Sequence, residues 1–178
     1  ALYRGANKVG SLPCGTLAWT PTCGALLGES EAAIGGSDSK THIYAISGDA
    51  FTHVKDIDTR SAVSAVAYHP NGELLAIGDA GRQVEVYKRA EWEPMVKGKW
   101  VFHTSKITCL SWSPSGDYLA SGSLDENIFI WNLAKPAAKL QLAYAHMSGV
   151  SAVDWVDEEN LVSVGNDHTV VTWKINAA

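Results

Sequence analysis

An all-β fold of repeated four-stranded antiparallel sheets is predicted by three features: a period near 43 residues, strand-like alternation within each period, and almost no helical patterning. Four twelve-residue blocks align without gaps: AIGGSDSKTHIY from Ala33, AIGDAGRQVEVY from Ala76, ASGSLDENIFIW from Ala120 and VSVGNDHTVVTW from Val162. Their starts lie 43, 44 and 42 residues apart. Each runs from small and apolar residues through a Gly/Ser/Asp/Asn turn into β-branched alternation that ends in an aromatic, the pattern of a hairpin.

In chain order, ALYRGANKVGSLP reads as the tail of one strand and an outer strand of a neighbouring sheet. Fourteen residues separate Trp19 from Ala33, where only eight separate Tyr68 from Ala76, which predicts an enlarged loop over Thr20 to Glu31. Three later blocks follow a further strand and turn: VSAVAYHPNGELLA from Val63, ITCLSWSPSGDYLA from Ile107 and VSAVDWVDEENLV from Val150. Pro70-Asn71-Gly72 and Pro114-Ser115-Gly116 join the fixed φ of proline to the permissive φ of glycine, as a tight reversal requires. KWVFH ending at His103 and KLQLAY ending at Tyr144 supply fourth strands, and Pro136 argues against a helix in LAKPAAKL.

Four strands in about 43 residues, radially repeated, describe a propeller blade, whose two faces are buried only by neighbouring blades. The expected domain is therefore residues 1–178 as an incomplete propeller of about four blades, with repeats ending near Tyr44, Tyr87, Trp131 and Trp173. Because the chain stops just after a third strand, the last blade is expected to lack its outer strand. Its ring would be completed by remaining blades of a longer protein or by another copy of the chain.

Composition narrows the function. The net charge is −5, and Lys and Arg are scattered, so no nucleic-acid footprint is present. No apolar window approaches the roughly 18 residues of a membrane span, and no signal-peptide pattern opens the chain, which reads as intracellular. Cys14, Cys23 and Cys109 form no CxxC pair, so neither a disulfide framework nor a thiolate metal site is indicated.

His103, Ser121, Asp125 and Trp131 recur as His146, Ser163, Asp167 and Trp173. These residue types suggest a hydrolase triad or a metal site, but copies one period apart suit structure better than a single active site. Each set can close a chain in which indole N–H, serine hydroxyl, imidazole and carboxylate satisfy one another. Catalytic residues, metal and cofactor are accordingly expected to be absent. The second repeat has Thr59, Ile77, Gly81 and Tyr87 at these places, and the first keeps Asp38 but ends in Tyr44. Those two blades are expected to lack the chain, to rely on packing and to be locally less stable.

This His, Ser, Asp and Trp set, with Trp131-Asn132 near the signature dipeptide, resembles the tetrad of the WD-repeat family over essentially the whole chain. Within it, FHTSKITCLSWSPSGDYLASGSLDENIFIWNL and AHMSGVSAVDWVDEENLVSVGNDHTVVTWKI resemble the closing repeats of the actin-interacting protein 1 family. That resemblance implies a cytoplasmic, cytoskeletal protein of two propellers that binds actin filaments with cofilin and promotes their disassembly, without being an enzyme. It places the known filament contacts mostly in the other propeller. A WD-repeat scaffold of another complex, of ubiquitin-ligase or chromatin type, is the alternative. Propellers bind partners through the loops at blade ends, which makes Arg60, Arg82, Lys106, Glu126 and Met147 the candidate partner-binding positions.

Overall fold

The computed structural model describes residues 2–4, 7–10, 17–48 and 50–176; Cys14 and the segment 11–16 lie outside these. Seventeen strands and no helix are present among them, so no helix is long and apolar enough to cross a membrane. β1 (Leu2–Arg4) and β2 (Asn7–Gly10) pair with each other. Four antiparallel meanders follow. Blade one is β3 (Pro21–Leu27), β4 (Glu31–Gly36), β5 (Lys40–Ser47) and β6 (Ala50–Asp58). Blade two is β7 (Val63–Tyr68), β8 (Leu74–Asp79), β9 (Val84–Lys88) and β10 (Glu93–Trp100). Blade three is β11 (Ile107–Trp112), β12 (Tyr118–Ser123), β13 (Ile128–Asn132) and β14 (Lys139–Leu142). Blade four holds three described strands, β15 (Val150–Trp155), β16 (Asn160–Gly165) and β17 (Val170–Lys174). The sheets meet along their first strands, β3 on β7, β7 on β11 and β11 on β15, in an arc that does not close.

Alternation along each strand explains why neither face is polar. On β13, Phe129 and Trp131 enter the core shared with blade two, while Ile128 and Ile130 enter the core shared with blade four. On β8, Leu75 and Ile77 face blade one and Ala76 faces blade three. The core is thus three slabs, one between each pair of blades. Glycines one residue before the end of the second strands let the next blade approach: a Cβ at Gly35, Gly78 or Gly122 would stand 2.6 Å from Val63, Ile107 or Val150. Polar stitches cross the same seams. The Trp112 indole donates to Ala67 O at 3.1 Å, Trp155 to Ser111 O at 3.2 Å, and Thr108 Oγ1 to Val150 O at 2.6 Å. Glu158, from the acidic segment before the last hairpin, accepts from Ser115 N–H at 2.6 Å and Ser115 Oγ–H at 2.9 Å.

Two sequence expectations need correction. Thr20 to Glu31 is not an enlarged loop: Pro21–Leu27 is an inner strand, and only Gly28, Glu29 and Ser30 turn back. The register aligns Cys23 with Ala65 and Cys109, so Leu26, not Trp19, holds the place of Tyr68 and Trp112. The fourth strand of blade two ends at Trp100, before KWVFH is complete, because His103 leaves the sheet to reach Ser121 and Asp125 in blade three.

Candidate functional site

In blade three the Trp131 indole N–H donates to Ser121 Oγ at 2.8 Å, and Ser121 Oγ lies 2.8 Å from His103 Nε2. His103 Nδ1 lies 2.9 Å from Asp125, which also accepts the backbone N–H of Thr104 and Asn127. One assignment satisfies every atom: the hydroxyl accepts from the indole and donates to Nε2, and Nδ1–H donates to the carboxylate. Blade four repeats it, with Trp173 to Ser163 at 2.8 Å, Ser163 to His146 at 2.7 Å and His146 to Asp167 at 3.1 Å. Ser121 is fully buried in mid-strand and Ser163 nearly so. A nucleophile must present its oxygen to a substrate, and these oxygens face an indole and an imidazole instead.

Burial alone would raise the Asp125 carboxyl. The hydrogen bonds from His103, Thr104 and Asn127 outweigh it and hold the group far below the usual carboxylate range. Desolvation, the largest single contribution, would raise Asp167 as well, but the bonds from Thr169 and His146 together outweigh it and lower the group to about 2. A carboxylate depressed in the folded state stabilises above its unfolded pKa, roughly 3.9, and that stability is lost as pH falls through the folded value. For Asp167 the loss runs from about pH 4 down to about 2. The urea midpoint is expected to fall across this window and to fall less steeply in Asp125→Asn and Asp167→Asn; equal slopes would detach the tetrads from acid stability.

The first two blades do lack the tetrad, but packing does not simply replace it. In blade two Glu85, almost fully buried, accepts from Tyr87 Oη at 2.7 Å and Gln83 Nε2 at 2.9 Å, while Ile77 is apolar. Thr59 instead ties blade two to the turn of blade one, donating to Ser39 O. In blade one Asp38 meets His42, a β5 residue on which Trp19 stacks at 3.8 Å. His42 continues to Asp56 at 2.8 Å and Asp56 to His53 at 2.5 Å. The period hid these groups, because no other repeat carries them.

The five candidate loop residues occupy one end of the blades. There the turn between second and third strands bonds the loop that leads into the first strand: Ala80 N–H to Ala62 O, Leu124 N–H to Lys106 O and Asn166 N–H to Gly149 O. Arg60, Arg82, Lys106 and Met147 are exposed. Arg82 and Glu126 sit at the turn tips with φ of 74° and 71°. Glu126 is half-buried and accepts Ser148 N–H at 2.9 Å, so it joins blade three to the loop that carries Met147. Arg60 and Arg82 belong to blade two and are not brought against Met147.

Four-stranded meanders joined along their inner strands, with buried Trp–Ser–His–Asp chains, define the blades of a β-propeller scaffold. The chain belongs to the WD40 family, whose model "WD domain, G-beta repeat" matches residues 51–88, 96–132 and 138–174. It is similar to actin-interacting protein 1 of Caenorhabditis elegans, 37% identical over 163 residues that cover 89% of this chain and 27% of that protein. Actin-interacting protein 1 of Drosophila melanogaster is 35% identical over 147 residues, covering 82% and 24%. The 66 kDa stress protein of Physarum polycephalum gives the same figures. The chain thus spans about a quarter of the length of these relatives. Among solved structures, U3-55K superposes with a TM-score of 0.80 at 22% identity, covering 89% of this chain and 50% of that one. The computationally designed Ika4 protein gives 0.77 at 24%, covering 96% and 99%. These two likenesses show the fold.

Proposed function

We propose that this chain is part of a non-enzymatic WD-repeat scaffold of the cytoplasmic actin cytoskeleton, which binds actin filaments together with cofilin and promotes filament disassembly. The observation that carries the reading is its likeness to proteins named actin-interacting protein 1 in a nematode, an insect and a plant. Recognition is by shape and charge, not by chemistry of the chain's own. In blades three and four the tetrads brace the turns and loops that carry Lys106, Glu126 and Met147, and Arg60 and Arg82 of blade two, which has no tetrad, extend the same end of the blades.

Co-sedimentation with filamentous actin, using the full-length protein, is the test. Pelleting is expected to increase when cofilin is added, and Arg82→Glu with Lys106→Glu is expected to weaken it; undiminished pelleting by that variant would remove this end of the blades from the contact. Pelleting indifferent to cofilin would return the reading to a WD-repeat scaffold of a different complex.

A further inference from the structure

The β5–β6 hairpin of blade one gathers three side chains that, among the described residues, no other blade gathers. His42 on β5 stands opposite Asp56 on β6, and Tyr44 stands opposite His53. Two steps along β5 thus match three steps along β6, with a β-bulge between Ile43 and Tyr44 that leaves Val54 as the extra residue. In a regular strand His53 and Asp56, three apart, would point to opposite faces; the bulge turns them to the same one. One ring nitrogen of His42, one of His53 and an Asp56 carboxylate oxygen lie within 4.8 Å of one another. Both ring nitrogens address the same atom, Oδ1, at 2.8 and 2.5 Å. The other nitrogen of His42 lies 3.3 Å from Asp38.

Hydrogen-bond accounting makes this arrangement unusual. A neutral imidazole has one N–H, yet His42 has a carboxylate at each nitrogen, so bonding both requires a second proton. A cation that replaces the protons between the two rings and Oδ1 resolves the same geometry. Nδ1 of His42 and Nε2 of His53 then give lone pairs, and His42 keeps Nε2–H for Asp38, the outer carboxylate–histidine contact that orients metal ligands. We propose that His42, His53 and Asp56 bind one borderline divalent cation of the Zn2+ type, with Asp38 orienting His42 and a fourth position open to water or a partner's donor.

The mechanics suit this assignment. Ligand atoms about 2.0–2.2 Å from a tetrahedral ion stand roughly 3.4 Å apart, so each of the two histidine–Asp56 contacts must lengthen by less than about 1 Å. His42 is fixed, buried and stacked on Trp19 with an interplanar angle of 8°. His53 is half-exposed on the bulged outer strand, with the Tyr44 ring against its edge, and can make the adjustment. Lys40 is the competing cation, 3.8 Å from Asp56, but it is partly exposed and has Asp58 at 3.7 Å as a second partner. The positions equivalent to His42 are Glu85, Phe129 and Val171. A brace required by the blade would recur, as the tetrads do.

Zinc titration of the chelator-stripped protein by calorimetry is the experiment. Expected are one saturable equivalent, an enthalpy that depends on buffer because binding displaces protons, and at least tenfold weaker binding in His53→Ala and in Asp56→Asn. Asp38→Asn weakens binding by about tenfold or more through His42. His168→Ala, which removes an exposed histidine far along the chain, leaves it unchanged. His53 is at the surface, and an unaltered far-ultraviolet spectrum of its variant will show that the blade still folds. No saturable binding by the native protein, or equal affinity in His53→Ala, overturns the proposal.

Discussion

Ser121→Ala is expected to cost about 2–4 kcal/mol, far more than a surface serine. Removing the hydroxyl leaves two buried groups without partners, the Trp131 indole N–H and His103 Nε2, now 2.8 Å from where the oxygen stood. An orphaned buried polar group costs roughly 1–3 kcal/mol, while exchanging both partners for apolar groups can be nearly neutral. Blade two illustrates the second case. Ile77 stands where Ser121 does, Tyr87 replaces the tryptophan, and the tyrosine hydroxyl turns to Glu85. A double-mutant cycle of Ser121→Ala with Trp131→Phe, read from urea midpoints, is therefore expected to give a coupling near 1 kcal/mol or more. A cost below about 0.5 kcal/mol for Ser121→Ala would mean that the chain of bonds does not brace the blade.

The tetrads were legible because recurrence at one period excluded a single active site, and because donor and acceptor counts closed within four residue types. The order of strands was legible for a related reason: β8, β9, β12 and β13 carry both their alternation and their turns within a dozen residues. Blade one departs from its sequence expectation where local signals fail. Its first reversal lacks the Pro-x-Gly turn of blades two and three, and Leu26 stands in place of an aromatic. The repeated Thr-Cys pair, at Thr22-Cys23 and Thr108-Cys109, was the signal that would have set the register, since each threonine donates to the next blade's first strand at 2.6 Å. The His42, His53 and Asp56 cluster depends on a bulge. A bulge changes which residues share a face, and strict alternation places His53 and Asp56 on opposite sides.

The reversal at Gly116 shows how a turn glycine in this fold does two jobs, and Gly116→Ala is expected to cost about 3 kcal/mol or more. Gly72 and Gly116 occupy equivalent turns with φ of 75° and 83°, a region that costs an alanine roughly 1–2 kcal/mol. They differ in what lies behind them. A Cβ at Gly72 would meet Leu27 Cδ1 at 3.0 Å, the end of a side chain that can rotate away. A Cβ at Gly116 would land on the His69 ring of the preceding blade. That ring is tethered on both nitrogens. Asn71 N–H donates to its Nδ1 at 3.2 Å, so Nε2 carries the proton and donates to Gly116 O at 3.2 Å, while Trp112 stands edge-on at 4.9 Å. Overpacking against a fixed neighbour adds about 1–3 kcal/mol. Gly72→Ala should therefore show the conformational cost alone, and Gly116→Ala in a His69→Ala background should fall to the same value. If Gly72→Ala and Gly116→Ala shift the urea midpoint equally in the native background, the close approach of blades two and three at His69 is not what demands the glycine.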